Sequence, residues 1–499
     1  MSNRMYGYGS TNRSFATYLA ILGILLSSIA FAQESPETIF PEYWGDQFVA
    51  ALQSSSEPEQ EAIIEAVFSP AALANPGKER LLGLIHRMQE SFSPLEYHHS
   101  EMVATELSPG NISRILHIYL RKEDERMWSD IQIRLDPEPP HQLLSLAFIA
   151  EVAEPVSLPN GDISQPMTLD WLDKYLQKLV SENGLSGSAL VAKGDKVLFE
   201  RYFGFADSAQ TRPIDEQTLF NLGSGNKMFT ALAIVKLQEE GKLQFTDKLT
   251  DYFPDFPMPD WAEKVSIHHL LTHSSGIGEF WRKETEAEMR RDTSWRQFLS
   301  LVYRSGFQFE PGTEAGYSNS NFILLGAIIE KVSGRDYFEV IQDLIYDKAG
   351  MKQSGPLTFN LSSSRMAIPL SRNGDKGWKV APHSKRGSPA GGGYSNVRDM
   401  LLFSQGLKTN AFVSPESLRN MVSNKTAGLK DPFPYGYGFI PQKNGNEISY
   451  GHGGIARGIN LEFRYFPGPD ITLVVFSNQD NGAFDDLKKN MIKLITGER

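Results

Sequence analysis

A serine and a lysine three residues apart carry the first chemistry in this chain. Ser224-Gly225-Asn226-Lys227 opens a long apolar stretch, MFTALAIVKLQEEG, that stops at Gly241. Three residues is just under one helical turn, so both side chains project from one face. The lysine amine then lies within reach of the serine hydroxyl. Desolvation lowers its pKa, and the neutral amine can take the serine proton. The helix N-terminus adds positive potential where negative charge develops during attack. Tyr317-Ser318-Asn319 follows a loop-like PGTEAG and enters a second apolar stretch, NFILLGAIIEKVSG. A phenol there can relay or accept a proton, and the Asn319 amide can bind a substrate carbonyl or hold Lys227. His452-Gly453-Gly454 stands just ahead of a strand in SYGHGGIARGINLEFRYF. Glycines there allow a ligand close to an edge strand, whose backbone N–H can join that of Ser224 in an oxyanion hole. Each pattern also has a plainer reading. Ser224 can cap a helix with Lys227 solvated, Asn319 or Ser320 can cap the next, and glycine-rich turns often enter strands. Against the first stands the helix itself, which is apolar nearly all round and must be buried.

The elements that position these residues run from 167 to 499. A helix, LDWLDKYLQKLVSENG, precedes a hairpin, SGSALVAKGDKVLFERYFG, that turns at Gly194-Asp195. Mostly helical sequence fills 223–355. Strand-like GINLEFRYFPGPDITLVVFSN and a final helix, FDDLKKNMIKLIT, close the chain. Strands at both ends of a helical middle predict one antiparallel sheet built from the two chain ends. Ahead of this domain, 41–92 repeats apolar residues at three- and four-residue spacing. From 95 to 152 the period is two, in four strands separated by PGN, KEDER and DPEPPH. This predicts a small α+β accessory domain over 33–152, of unknown role, joined by a proline-rich linker over 153–166. His98 and His99 lie together in one of its strands and read as paired surface histidines.

Ser-x-x-Lys, Tyr-x-Asn and [Lys/His]-x-Gly before a strand, in that order, resemble the three signatures of serine penicillin-recognising enzymes. Residues 167–499 resemble the serine β-lactamase and penicillin-binding-protein-like hydrolases, of the class C β-lactamase, D-aminopeptidase and esterase type. The likeness extends through TLFNLGSGNKMFTALAIVKLQEEGKL, VSIHHLLTHSSGI, PGTEAGYSNSNFILLGAIIEKVSG, SPAGGGYSNVRDM and the segment from HGG to SNQD. It implies an α+β fold, an αβα sandwich with an antiparallel sheet beside an all-helical region. It implies Ser224 as the acylated nucleophile and Lys227 as general base or proton shuttle. Tyr317 would share the base role and help activate the deacylating water, and Asn319 would orient substrate and Lys227. His452 and Gly454 would line the edge strand, with the N–H groups of Ser224 and Ile455 as the oxyanion hole.

One departure from the family pattern bears on substrate. β-Lactamases usually show Lys-Thr-Gly at the third signature, where a cation and a hydroxyl engage the antibiotic's carboxylate. His452-Gly453 removes the hydroxyl and leaves an imidazole that titrates at about pH 6.5. Arg457 is a candidate for the missing charge. Esterases and D-amino-acid peptidases of this type tolerate His-x-Gly. The expected function is an exported serine hydrolase that cleaves an ester or amide, D-amino-acid peptides included, through an acyl-Ser224 intermediate. A genuine β-lactamase is the alternative, as is a penicillin-binding or sensing protein that does not turn over.

Composition bounds the remaining classes. The 499 residues include no cysteine, which excludes thiolate nucleophiles, disulfides, cysteine-ligated metals and lipid carried on cysteine. Lys and Arg number 49 against 60 Asp and Glu, a net −11 that argues against a nucleic-acid partner. Arg4, Arg13 and the apolar run 15–32, ending Ala30-Phe31-Ala32, predict a signal peptide over 1–32 cut after Ala32. The product is then periplasmic or secreted, with no integral membrane segment. Retention of the run as an anchor is the alternative. No metal or cofactor is expected, and the partner is a small-molecule or peptide ester or amide. His269 and His273 stand four residues apart without the glutamate of H-E-x-x-H, residues 451–456 mimic a dinucleotide fingerprint but precede a strand, and no G-x-S-x-G elbow is present.

Overall fold

Three helices, α1 (Pro41–Gln53), α2 (Glu57–Val67) and α3 (Lys78–Phe92), pack on a four-stranded antiparallel meander. Its strands are β1 (Leu95–Ser108), β2 (Asn111–Lys122), β3 (Trp128–Leu135) and β4 (Leu143–Val152). The structure, a computed structural model, describes residues 41–108, 111–122, 128–136, 142–152, 158–159, 163–282, 285, 294–357, 364–372, 377–383, 386–430, 433–444, 447–480 and 482–497. The signal segment, its cleavage site and most of 153–166 lie outside the described residues. The periodic apolar positions of the helices and strands share one core, with Phe48, Ile64, Ile85, Leu116, Ile118 and Ile131 buried. Contact with the rest of the chain includes Tyr119, whose hydroxyl accepts from Lys489 Nζ at 2.9 Å. His98 and His99 meet through their Nδ1 atoms at 2.7 Å, and the His99 ring stacks on Tyr119.

The second unit opens with α4 (Pro166–Asn183) and the hairpin β5 (Gly187–Lys193) and β6 (Lys196–Phe203). Three helices then carry or flank the site: α5 (Asn226–Glu239), α6 (Asn319–Ser333) and α7 (Val397–Lys408). Four strands and a helix finish the chain: β7 (Ile440–Asn444), β8 (Glu447–Ala456), β9 (Ile459–Phe466), β10 (Ile471–Ser477) and α8 (Ala483–Thr496). The sheet is antiparallel throughout, in the order β7-β8-β9-β10-β5-β6, and the two chain ends meet where Val474 faces Leu190. Both faces are covered. Leu172, Leu176, Phe484 and Leu487 of α4 and α8 pack on one, and α5, α6 and α7 join Leu190, Phe463 and Val474 in the core on the other. Every residue of β9 and β10 is accordingly buried, although the strands are antiparallel. The αβα sandwich with its helical region is therefore present. β7 is an edge strand of polar residues and one proline, which is why alternation in the sequence does not reveal it.

Candidate active site

Ser224 occupies a single 3-10 turn, Gly223–Gly225, immediately ahead of α5. Gly225 stands at the N-cap position of α5 and has no side chain to cap with, so Ser224 is not the cap. α5 is buried from Asn226 through Val235, and Lys227 has no exposed surface at all. Its Nζ lies 3.1 Å from Ser224 Oγ, 2.7 Å from Asn319 Oδ1 and 2.5 Å from the Ala390 carbonyl oxygen. The Tyr317 and Phe322 rings flank it at 4.9 and 5.5 Å. Desolvation pulls the Lys227 pKa down to about 7, and the Glu279 carboxylate pulls weakly the other way. A neutral amine has two N–H donors and one lone pair. With Asn319 and Ala390 as acceptors, the lone pair is left for the Ser224 hydroxyl.

Asn319 is the first residue of α6, after Ser318 at the N-cap. Glu279 Oε2 accepts from its backbone N–H at 2.8 Å and from Nδ2 at 3.0 Å, while Glu279 Oε1 accepts from the Trp281 N–H at 2.8 Å. The amide is thereby oriented, nitrogen toward Glu279 and oxygen toward Lys227. The Tyr317 hydroxyl is hydrogen-bonded to Ser224, and burial of that group pushes the phenol well above its ordinary range. It is protonated at neutral pH even though 41% of the residue's surface is exposed, because desolvation acts at the hydroxyl and not at the ring edge. His273 braces this turn. Its carbonyl accepts from the Gly316 N–H at 2.9 Å, and its Nδ1 accepts from the Ser318 N–H and Asn321 Nδ2, each at 3.2 Å. The short helix 267–271 ends before His273, which has a left-handed φ of 57°. His269 instead accepts from the Ser266 N–H, so the zinc-like spacing does not place two imidazoles on one helix face.

The third signature sits on β8. Pairing with β7 covers Glu447 to Gly451 and stops, so the sheet edge begins at His452 and runs past the Ser224 turn. A Cβ on Gly454 would fall 2.1 Å from the Leu222 carbonyl oxygen, whereas on Gly453 it would meet nothing closer than 3.4 Å. Backbone contact requires the second glycine of the pair. Ile455, next along the edge, is 71% exposed. His452 corrects an expectation. Its Nδ1 donates to the Gly453 carbonyl at 2.5 Å, its Nε2 accepts from the Tyr435 hydroxyl at 3.0 Å, and only 2% of the residue is exposed. Burial, with help from the Lys227 charge, pulls its pKa to about 3. The ring is neutral and does not supply the titratable cation that its residue type suggests.

Two contributors carry no signal in the sequence. Glu279 is one, distant from the motifs in the chain. The other is the Ala390 carbonyl, placed by the loop 388–390. Asn226 Nδ2 donates to the Ser388 carbonyl at 3.0 Å and Thr230 Oγ1 to the Pro389 carbonyl at 2.7 Å, which ties that loop to α5. In front of Ser224 opens a cleft of about 460 Å³, with Asn319, Phe280, Trp281, Phe298 and Ile455 in its walls. Arg457 also lines it.

The sheet, its helical flank and the desolvated lysine at Ser224 define a class, the serine hydrolases of the β-lactamase and transpeptidase fold. The Beta-lactamase family model matches residues 172–498, and the chain belongs to that family. Penicillin-binding protein 4* of Bacillus subtilis (strain 168) is 29% identical over 336 residues, 62% of this chain and 72% of that protein. Esterase EstB of Burkholderia gladioli is 28% identical over 294 residues, 52% of this chain and 74% of that one. Among solved structures, a penicillin binding protein from Bacillus halodurans superposes with a TM-score of 0.59 at 30% identity, over 65% of this chain and 98% of that one. The family match starts within α4, so the unit from α1 to β4 lies outside it.

Proposed function

We propose that this chain is an exported enzyme that cleaves an ester or amide through an acyl-Ser224 intermediate. The carrying observation is the 3.1 Å approach of a fully buried Lys227 Nζ to Ser224 Oγ, with Asn319 and Ala390 as its other partners. A pKa of about 7 leaves a large share of Lys227 as free amine at neutral pH. As Ser224 Oγ bonds to the substrate carbonyl carbon, its proton passes to Lys227. The oxyanion takes the N–H groups of Ser224 and Ile455. The new ammonium has three donors for three acceptors, the faces of Tyr317 and Phe322, and the Glu279 charge. Tyr317 starts protonated, so it is a relay and not the resting base. It gives its proton to the leaving oxygen or nitrogen and takes one from Lys227. The carbonyl–leaving-group bond breaks, and Lys227 is again neutral. Water then attacks the acyl carbon, loses its proton to Lys227, and Ser224 departs with a proton returned by the same route.

The neutral His452 favours an ester or amide over a β-lactam, because it offers no cation to the antibiotic's carboxylate. Similarity to an esterase points the same way. Similarity to penicillin-binding proteins supports a second reading, acylation of Ser224 without turnover. Hydrolysis of short p-nitrophenyl esters, abolished in Ser224→Ala, tests the first. A stoichiometric burst with no steady state establishes the second, and turnover of a chromogenic cephalosporin would make the protein a β-lactamase. Export rests on Arg4, Arg13 and the run 15–32, and the mature chain is expected to begin at Gln33. Among the described residues no helix is long and apolar enough to cross a membrane. Residues 33–152 are proposed as a separate accessory domain, joined by 153–166 to the hydrolase domain 167–499.

A further inference from the structure

The cleft in front of Ser224 is lined by three arginines and no carboxylate. Arg282 follows the segment 279–281, Arg386 precedes the loop 388–390, and Arg457 follows β8, so three separate stretches of chain bring them to one cavity. Asp and Glu outnumber Lys and Arg by 60 to 49 over the whole chain, and composition alone would not produce an acid-free lining. Glu279 is engaged by Asn319 and the Trp281 N–H, and Asp480, which feels the Arg457 charge, lies outside the lining. Trp281 and Ile455, 48% and 71% exposed, add apolar surface at the same mouth.

We infer that this cleft binds an ester or amide bearing at least two negative charges, held by Arg282, Arg386 and Arg457. The bond cleaved rests on the acyl-Ser224 reading, whereas the charge recognition does not. A guanidinium grips a carboxylate or phosphate through two parallel N–H···O bonds. Three such forks exceed what one carboxylate can engage. The charge reader has also moved, since His452 is neutral and the arginines stand on other segments. Cations without neighbouring acids raise the local concentration and capture rate of an anion, and salt screens the effect. A phosphate-type group and a pair of carboxylates share this chemistry.

The test uses p-nitrophenyl esters of pentanoate (neutral), glutarate (one carboxylate), tricarballylate (two carboxylates) and phosphonobutanoate, with the full chain at low and high salt. The expected kcat/KM rises about tenfold or more from the neutral to a doubly charged ester and falls with salt. The larger gain, phosphonate or dicarboxylate, identifies the source of the charge. That gain shrinks severalfold in Arg282→Ala and in Arg457→Ala. Equal or better turnover of the neutral ester overturns the inference, as does a charge preference unchanged in both variants. If no ester is turned over, thermal shift with pyrophosphate and with tricarballylate decides. Stabilisation that is lost in the arginine variants keeps the anion site while removing the acyl-Ser224 reading, and no stabilisation removes the site.

Discussion

Glu279 Oε2 accepts both the backbone N–H and the side-chain N–H of Asn319, at 2.8 and 3.0 Å. This double contact turns Asn319 Oδ1 to Lys227 Nζ, 2.7 Å away, and places a negative charge behind the amine. Glu279, Asn319, Lys227 and Ser224 form a line in which a third and a fourth group orient the base, the logic of a catalytic triad built from other residues. Glu279→Gln removes the charge that holds the Lys227 pKa up. The amine then stays neutral to lower pH, and the acid limb of kcat/KM moves down. Glu279→Ala also frees the Asn319 amide and lowers kcat by about tenfold to a hundredfold. Profiles of both variants check this, and a limb that does not move in Glu279→Gln removes the electrostatic part.

Lys227 works as a base only when unprotonated. Activity is expected to fall as pH drops through about 7 and to level above it. His452 and His273 face the same amine, but burial lowers both, His452 to about 3. Neither titrates in the working range. The limb should persist in His452→Gln, and its disappearance there would transfer the titration from Lys227 to His452.

Gly454 and Gly453 are adjacent yet unequal. A methyl on Gly454 collides with the Leu222 carbonyl at 2.1 Å and pushes β8 from the Ser224 turn, while on Gly453 it finds an ordinary 3.4 Å contact. Ester hydrolysis in Gly454→Ala is expected to drop by about a hundredfold or more, the usual cost of a lost oxyanion donor. Gly453→Ala should stay close to wild type. Melting temperatures of both separate a misplaced strand from an unfolded one.

The buried amine also couples pH to stability. Its pKa is 10.5 when exposed and about 7 in the fold, so between those values the unfolded chain binds more protons. Stability from this group is complete above the unfolded value and is lost as pH falls through the folded one. Denaturation of wild type and Lys227→Met from pH 7 to 10 checks the sign. The difference in unfolding free energy should shift toward wild type as pH rises, and a constant gap contradicts a depressed lysine.

How much of this was legible in the sequence follows from what spacing can encode. Ser224 and Lys227 are one turn apart on a helix apolar all round, which dictates both their meeting and the burial of the amine. The signatures at Tyr317 and His452 belong to recognisable helix and strand entries, and the alternating runs at the two chain ends reveal the sheet. Glu279 was hidden because only the fold carries it forty residues along to Asn319. Ala390 acts through a backbone carbonyl that any residue possesses. His452 was recognised by type, but its neutrality comes from Tyr435, Gly453 and burial, which no local pattern records. β7 escaped because edge strands need no apolar alternation.

The acyl-enzyme itself is the most direct measurement. Wild-type protein mixed with a p-nitrophenyl ester, acid-quenched at short times and digested, is read by mass spectrometry at the peptide containing Ser224. An acyl adduct on Ser224 should rise and decay in wild type, form far more slowly in Lys227→Ala and be absent in Ser224→Ala. Turnover that persists in Ser224→Ala, or an adduct on another residue of a fully active enzyme, would contradict the account.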